Sequence, residues 1–332
     1  MCRAARCRAA PARSTPWSSS AAPATISTTG KSRQPRLGRR RRSAFFRKLE
    51  THAKGASDWH GGDGPIHVTP MRGMTHPVTD AFLDACRELQ LPLNPDFNGA
   101  AIEGAGVYDI NTRRGQRSHS SAEYLRPALK RPNLLIERNV HAERLIFAQD
   151  GRVTGVEARQ NGALKTFSAR REVIVATGAV GTPKLLQLSG LGDGAALSAL
   201  GIQTHHHLPA VGANLQDHLC ASFYYRANRP TLNGTFASLF GQGALGLQYL
   251  LTRKGPFAMS VNQAGGFFRG RPEEERPNIQ LYFNPSPIAF PTTRRPGFCR
   301  SPIRDFSLPS IPAARRAAAM SPSPRTTRPM PP

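Results

Sequence analysis

The chain has 332 residues, enough for one large or two ordinary domains, and 39% hydrophobic with 20% charged residues allows a real core. A net charge of +24 would suggest a nucleic-acid or anionic-membrane partner, but residues 1–42 hold 11 Lys/Arg and no acid, residues 291–332 hold eight Arg against Asp305, and the 43–290 middle carries only +6. No apolar run reaches the roughly 18–20 residues of a membrane span, no secretory apolar core is present, and Cys2, Cys7, Cys86, Cys220 and Cys299 form no C-x-x-C, which argues against a zinc site or disulfide framework and fits a reducing, cytoplasmic compartment.

Residues 1–42 are rich in Arg, Ala, Ser and Pro and are expected to be disordered. Their acid-poor composition is also that of organellar transit peptides. The abrupt change near Ser43 equally fits a segment translated from a wrong reading frame. Residues 45–53 suit a short amphipathic helix. Trp59-His60-Gly61-Gly62-Asp63-Gly64-Pro65 is a turn cluster, and 66–68 a strand. His60 and His67 invite a metal reading, but no third ligand stands at helical or hairpin spacing, so none is assigned. Residues 78–89 place Phe82, Ala85, Cys86 and Leu89 on one face of a helix. Residues 96–99 are a turn. Residues 107–112 alternate like a strand, which Arg113-Arg114-Gly115 turns. Ser118, Ser120 or Ser121 can cap a helix over 122–130. Strands follow at 134–137, 140–147, 153–158 and 164–169, with Asp150-Gly151 as a hairpin turn.

Residues 172–192 read EVIVATGAVGTPKLLQLSGLG. Val173-Ile174-Val175 has the pattern of a strand buried on both faces. It runs into Ala176-Thr177-Gly178-Ala179, small residues that let a ligand or a second backbone come close. Thr182 is the expected N-cap and Pro183 the first-turn residue of a helix over 184–188, ended by the glycines of 189–192. A buried strand running through small residues into a helix N-terminus is how α/β folds hold phosphate-bearing cofactors. By itself the pattern implies a nucleotide or anion near a strand end.

A helix is expected over 195–200. Three adjacent histidines, His205 to His207, cannot face one metal on regular structure, so they read as a solvated strand with alternating faces. Strands are expected at 222–226 and 279–283. Residues 239–251 read as a helix weakened by Gly241, Gly243 and Gly246. Residues 241–246 match G-x-G-x-x-G in form only: no buried strand precedes them and no acid lies about 20 residues on. Residues 291–332 are expected to be a disordered basic tail.

Residues 178–192, G-A-x-x-T-P-x-L-L-x-L-S-G-L-G, resemble the second signature of the glucose-methanol-choline (GMC) flavoprotein oxidoreductases. Residues 208–218, LPAVGANLQDH, resemble the segment that follows it in that family, and residues 59–68, WHGGDGPIHV, resemble its run into the substrate domain. Choline-dehydrogenase-like members are the nearest in character. The resemblance covers 43–290. It implies a mixed α/β fold: an incomplete FAD-binding, Rossmann-like domain with a β-meander, interleaved with part of an antiparallel-sheet substrate domain. Residues 43–117 and 216–290 are then substrate-domain segments, and 118–215 the FAD-binding segment.

The resemblance further implies FAD as cofactor, a small alcohol as substrate, hydride transfer to the flavin N5 and an unspecified electron acceptor. A backbone group at Ala142, where the family usually has Val, is expected at the adenine. Ala176, Thr177, Gly178 and Ala179 complete the expected cofactor-binding set. The family's strand with G-x-G-x-x-G and its catalytic His pair have no counterpart in the sequence. No catalytic residue is assigned, and the chain is expected to be truncated at both ends and weakly active or inactive. The competing expectation is a nucleic-acid or anionic-surface binder working through its Arg-rich ends. Aromatic residues for stacking are scarce there, so no nucleic acid is expected.

Overall fold

The computed structural model describes residues 39–286 and 305–312. The expectations for 1–38, 287–304 and 313–332 lie outside the described residues. In chain order the first elements are α1 (Arg39–Leu49), β1 (Glu50–His52), β2 (Ile66–Pro70), α2 (Pro77–Glu88), β3 (Gly104–Val107), β4 (Asp109–Ile110), β5 (Thr112–Arg113) and β6 (Gln116–Arg117). A π-helical turn, Ser121–Leu125, runs into α3 (Arg126–Ala128). Then come β7 (Val140–Phe147), β8 (Val153–Gln160), β9 (Ala163–Ser168), α4 (Gly178–Leu188), β10 (Leu191–Gly192), α5 (Gly194–Ala199) and β11 (His206–His207). The last are β12 (Ala221–Arg226), α6 (Leu232–Ala237), α7 (Leu239–Thr252), a 3-10 turn (Pro256–Ala258), β13 (Ala264–Phe268), β14 (Ile279–Phe283) and β15 (Asp305–Pro312). Helix and sheet are mixed, as the sequence implies.

Two compact units divide the described residues: 135–217, and 39–134 with 218–286 and 305–312. The second, discontinuous unit is built on a five-stranded sheet of order β12-β15-β14-β13-β3. Every neighbouring pair in it is antiparallel. Met71 and Ile110 are fully buried in a cluster with Phe97, Tyr108, Met259, Phe267 and Tyr282. Gly265 sits where only hydrogen fits, because a Cβ there would strike the Leu281 carbonyl and the Tyr108 hydroxyl.

Helix α2 starts as its sequence dictates. His76 is the N-cap, its Nδ1 accepting from the Val78 N–H at 3.3 Å, and Pro77 fills the first position. Burial holds His76 below the usual histidine range, which keeps that nitrogen an acceptor. Buried Gln263 completes the cap, its Oε1 accepting from the His76 N–H at 2.7 Å and the Thr79 hydroxyl at 2.9 Å. The helix buries Val78, Thr79, Leu83 and Cys86. The face is therefore turned from the expected one, and Leu89 is 72% exposed.

Several expected elements are corrected. The strand over 107–112 is broken into β3, β4 and β5, because its successive pieces pair with different partners: β3 with β13, β4 with β2 and β5 with β6. The helix over 122–130 is a π turn and three α residues; Ser118 does not cap it but accepts from the His67 N–H and donates to Glu123. The helix expected over 45–53 lies at Arg39–Leu49. Residues 305–312, expected as unstructured tail, form β15 between β12 and β14.

The 135–217 unit is a β-meander, β7-β8-β9, with α4 and the short pair β10–β11. Residues 134–137 and 173–175 join no ladder among the described residues, against expectation, and Leu135 and Ile174 are 82% and 81% exposed. An apolar β-branched run becomes a buried strand only where a neighbour supplies hydrogen bonds and cover. Here none of the described strands does.

Candidate functional site

The candidate nucleotide site is the run from the irregular segment at 172–177 into α4. Helix α4 begins at Gly178, four residues before the expected cap at Thr182. Thr177 is its N-cap and makes no side-chain capping bond; its hydroxyl lies 3.0 Å from that of Thr182. Pro183 therefore falls inside the helix, where it withholds a donor from the Ala179 carbonyl. Ala176, Thr177, Gly178 and Ala179 are all exposed. Gly178 has φ +83°, and the space a Cβ would take there is open.

The result is a helix N-terminus with uncapped N–H groups, small side chains and free space before it. Such an end is complementary to a phosphate or another anion. Its other end is fixed. The Ser189 hydroxyl donates to the Leu185 carbonyl at 2.6 Å and accepts from the Leu145 N–H at 2.8 Å, which ties α4 to β7. Leu145, Leu185 and Ser189 are buried.

Ala142 lies on β7 opposite Ala158, next to a β-bulge between Ala142 and Arg144. It is half-buried, while Ala158 is 1% exposed. Ala142 and the 176–179 group thus belong to one unit, on two elements joined through Ser189. Residues 241–246, the formal G-x-G-x-x-G, lie within α7 and follow no strand directly.

A second group went unread in the sequence. His60 donates from Nδ1 to Glu50 at 2.9 Å and from Nε2 to Asp96 at 3.0 Å. Two carboxylate acceptors require both ring nitrogens to carry protons, so His60 is an imidazolium. The hydrogen bonds to Asp96 and then Glu50 raise its pKa from 6.5 to about 10, against the opposing effect of burial. Asp96 is held below its usual range by the same bond to His60. His52 stacks on His60 with ring centroids 4.2 Å apart. Its Nδ1 accepts from the Lys54 N–H, leaving Nε2 to donate to Asp109 at 3.1 Å. Only the turn cluster around His60 hinted at this group; Glu50 and Asp96 arrive from 10 and 36 residues away. His67 is not part of it and faces the Pro65 carbonyl. His206 and His207 form the exposed strand β11, parallel to β10, and His205 packs on Phe147.

A protein-family model described as GMC oxidoreductase matches residues 24–220, more than half of the chain. The chain belongs to the GMC oxidoreductase family. It is similar to the "Oxygen-dependent choline dehydrogenase" of Rhizobium johnstonii, 38% identical over 246 residues, covering 74% of this chain and 44% of the relative. It is similar also to the "Alcohol dehydrogenase [acceptor]" of Pseudomonas putida, 39% identical over 254 residues, covering 75% of this chain and 46% of the relative. The chain thus spans less than half the length of these curated relatives. Among solved structures, the fold is that of a formate oxidase of Aspergillus oryzae, with TM-score 0.69 and 24% identity over 81% of this chain and 52% of that one. Pyridoxine 4-oxidase from Mesorbium loti superposes with TM-score 0.65 and 23% identity over 81% of this chain and 48% of that one.

Proposed function

We propose that this GMC chain serves the FAD-dependent oxidation of an alcohol CH–OH group, with residues 135–217 as its cofactor unit. The other unit is then the substrate side. The observation that carries the reading is the open, uncapped start of α4 at Gly178, behind four exposed small residues. Ala142, Ala176, Thr177, Gly178 and Ala179 are the residues that would hold the adenosine end of FAD, by main-chain groups and by leaving room. Bound FAD supplies the acceptor for a hydride from the alcohol carbon. No described residue is assigned to the proton of the hydroxyl. The names of the choline and alcohol dehydrogenase relatives support a small alcohol substrate and leave the electron acceptor open.

Among the described residues no strand, glycine loop and helix stand ready for the pyrophosphate. Adenosine contacts alone give weak affinity, on the order of a millimolar. No helix among the described residues is long and apolar enough to cross a membrane. Cys86 and Cys220 are free thiols, which supports the cytoplasm as the compartment for this reading.

The test is a titration of the purified chain with FAD and with AMP, followed calorimetrically. The reading expects weak saturable binding of both, mutual competition, and several-fold weaker binding in Ala179→Leu, which puts bulk at the exposed first turn of α4. Failure of both ligands to saturate, or FAD binding that AMP does not compete, overturns the adenosine site. A tight yellow complex bleached by choline would show that these residues suffice for the whole reaction and would overturn the weak-binding part.

A further inference from the structure

A cleft in the discontinuous unit is lined by charge that the fold itself does not use. Its volume is about 270 Å³. The floor is Leu83, 5% exposed, with half-buried Val107 packed against the same apolar cluster. The rim holds Arg72, Thr75, Asp80 and Arg87. Both walls are fixed by local structure. Arg72 follows fully buried Met71 and sits in a turn closed by the Met74 N–H on the Met71 carbonyl at 2.9 Å. Asp80 stands in the first turn of α2, directly after buried Val78 and Thr79, where His76 and Gln263 hold the helix start.

The charges on the rim do not cancel in place. Arg87 is matched by Asp84, three residues before it on α2. Arg72 and Asp80 line the same cleft without forming an ion pair. Neither side chain has a hydrogen-bond or ion-pair partner among the described residues. One open cation and one open anion therefore flank an apolar floor. A simple anion at Arg72 would meet the Asp80 carboxylate, and a simple cation at Asp80 would meet the guanidinium. A ligand carrying both charges on a short apolar body meets neither repulsion.

We infer that this cleft binds a small zwitterion of the α-amino-acid class. The Arg72 guanidinium donates to the ligand carboxylate, with the Thr75 hydroxyl on the same rim. Asp80 accepts from the ligand ammonium. The apolar side chain of the ligand lies on Leu83 and Val107. The volume falls just below the roughly 300 Å³ at which pockets for drug-sized molecules begin, which restricts the ligand to a small one. Both charges stand at an exposed rim where water and salt screen them, so a dissociation constant on the order of a millimolar is expected. The lining residues belong to the unit that holds none of the proposed FAD contacts, and the inference does not rest on the cofactor reading.

The experiment is saturation-transfer NMR on the full chain, titrated with L-leucine. The comparison probes are 4-methylpentanoate, which lacks the ammonium, isopentylamine, which lacks the carboxylate, and inorganic phosphate. Leucine is expected to saturate, with either single-charge analogue about fivefold weaker or more. Arg72→Gln and Asp80→Asn are each expected to weaken leucine about three- to tenfold. Asp80→Asn is expected to leave 4-methylpentanoate no weaker than before, because it removes a like charge. Arg72→Gln lies outside any helix, so it tests the site even where Asp80→Asn loosens the start of α2. Absence of saturation by leucine overturns the inference. So does an analogue that binds as tightly as leucine, or phosphate that displaces leucine at equal concentration, either of which makes the cleft a patch for one charge. Leucine binding that both variants leave unchanged places the ligand elsewhere and overturns it as well.

Discussion

The two units differ most in what they bury. The discontinuous unit places 15 of the 19 buried apolar residues among the described ones, with Met71 and Ile110 at 0% exposure. The 135–217 unit has four, Leu145, Ala158, Leu185 and Leu197, and displays Leu135, Ile174 and Val180 instead. One unit makes its core from its own strands. The other is a meander held to a helix by a serine, with the candidate nucleotide site on its open side. Side chains chosen for burial do not bury themselves. They need a facing layer, and where none is supplied, as at Ile174 and along α7, the same apolar signal stays at the surface.

That contrast can be broken at four points. Ile110→Ala removes a fully buried side chain and is expected to cost about 3–4 kcal/mol, read by urea denaturation and by faster amide exchange across β3, β13 and β14. Retention of normal stability would mean that the cluster is not a packed core.

His60→Gln leaves Glu50 and Asp96 without their cation. The expected loss is about 3 kcal/mol, at the low end for a buried pair because a third of the Asp96 side chain is exposed. The His60 pKa rises from 6.5 to about 10 on folding. Its contribution is therefore fully present below pH 6.5 and is lost as the pH climbs through 10. On the acid side Asp96 is lowered from 3.8, so its share holds above pH 3.8 and is lost as the pH falls through the lowered value. The Tm difference between the unmodified chain and His60→Gln should be largest from pH 3.8 to 6.5 and shrink toward pH 10. A difference that stays flat across pH would reject the imidazolium.

In the other unit, Ser189→Ala leaves the buried Leu145 N–H without its acceptor and should cost about 1–2 kcal/mol, with faster exchange of that amide. Ile174→Ala is expected to change stability by less than about 0.5 kcal/mol, since the side chain is already 81% exposed. A loss of several kcal/mol there would show Ile174 buried in solution and erase the contrast between the units.

Much of the fold was legible in the sequence. Strands 140–147 and 279–283 were read to the residue, and β8, β9, β12 and α7 to within a few residues, because alternation, an Asp-Gly turn and an apolar helical period are local signals. The passage from Ala176 to Ala179 was legible as small and open for the same reason. The start of α4 was not. Thr182-Pro183 is the best local start signal, yet the helix runs through it from Gly178, and the proline is accommodated within. The His60 group was illegible because its two acids come from β1 and from the turn at Asp96, and nothing in either segment announces a histidine.

Chain order alone determined the family resemblance, the helices and strands with strong local periods, and the run of small residues at 176–179. Tertiary structure decided which apolar residues count as core. It paired β12 with β15, set His60 between two carboxylates, left Ile174 uncovered, and turned the apolar stripe of α7 outward. The physical reason is that a residue's type fixes what environment it favours, while burial, pairing and protonation depend on neighbours brought from elsewhere in the chain.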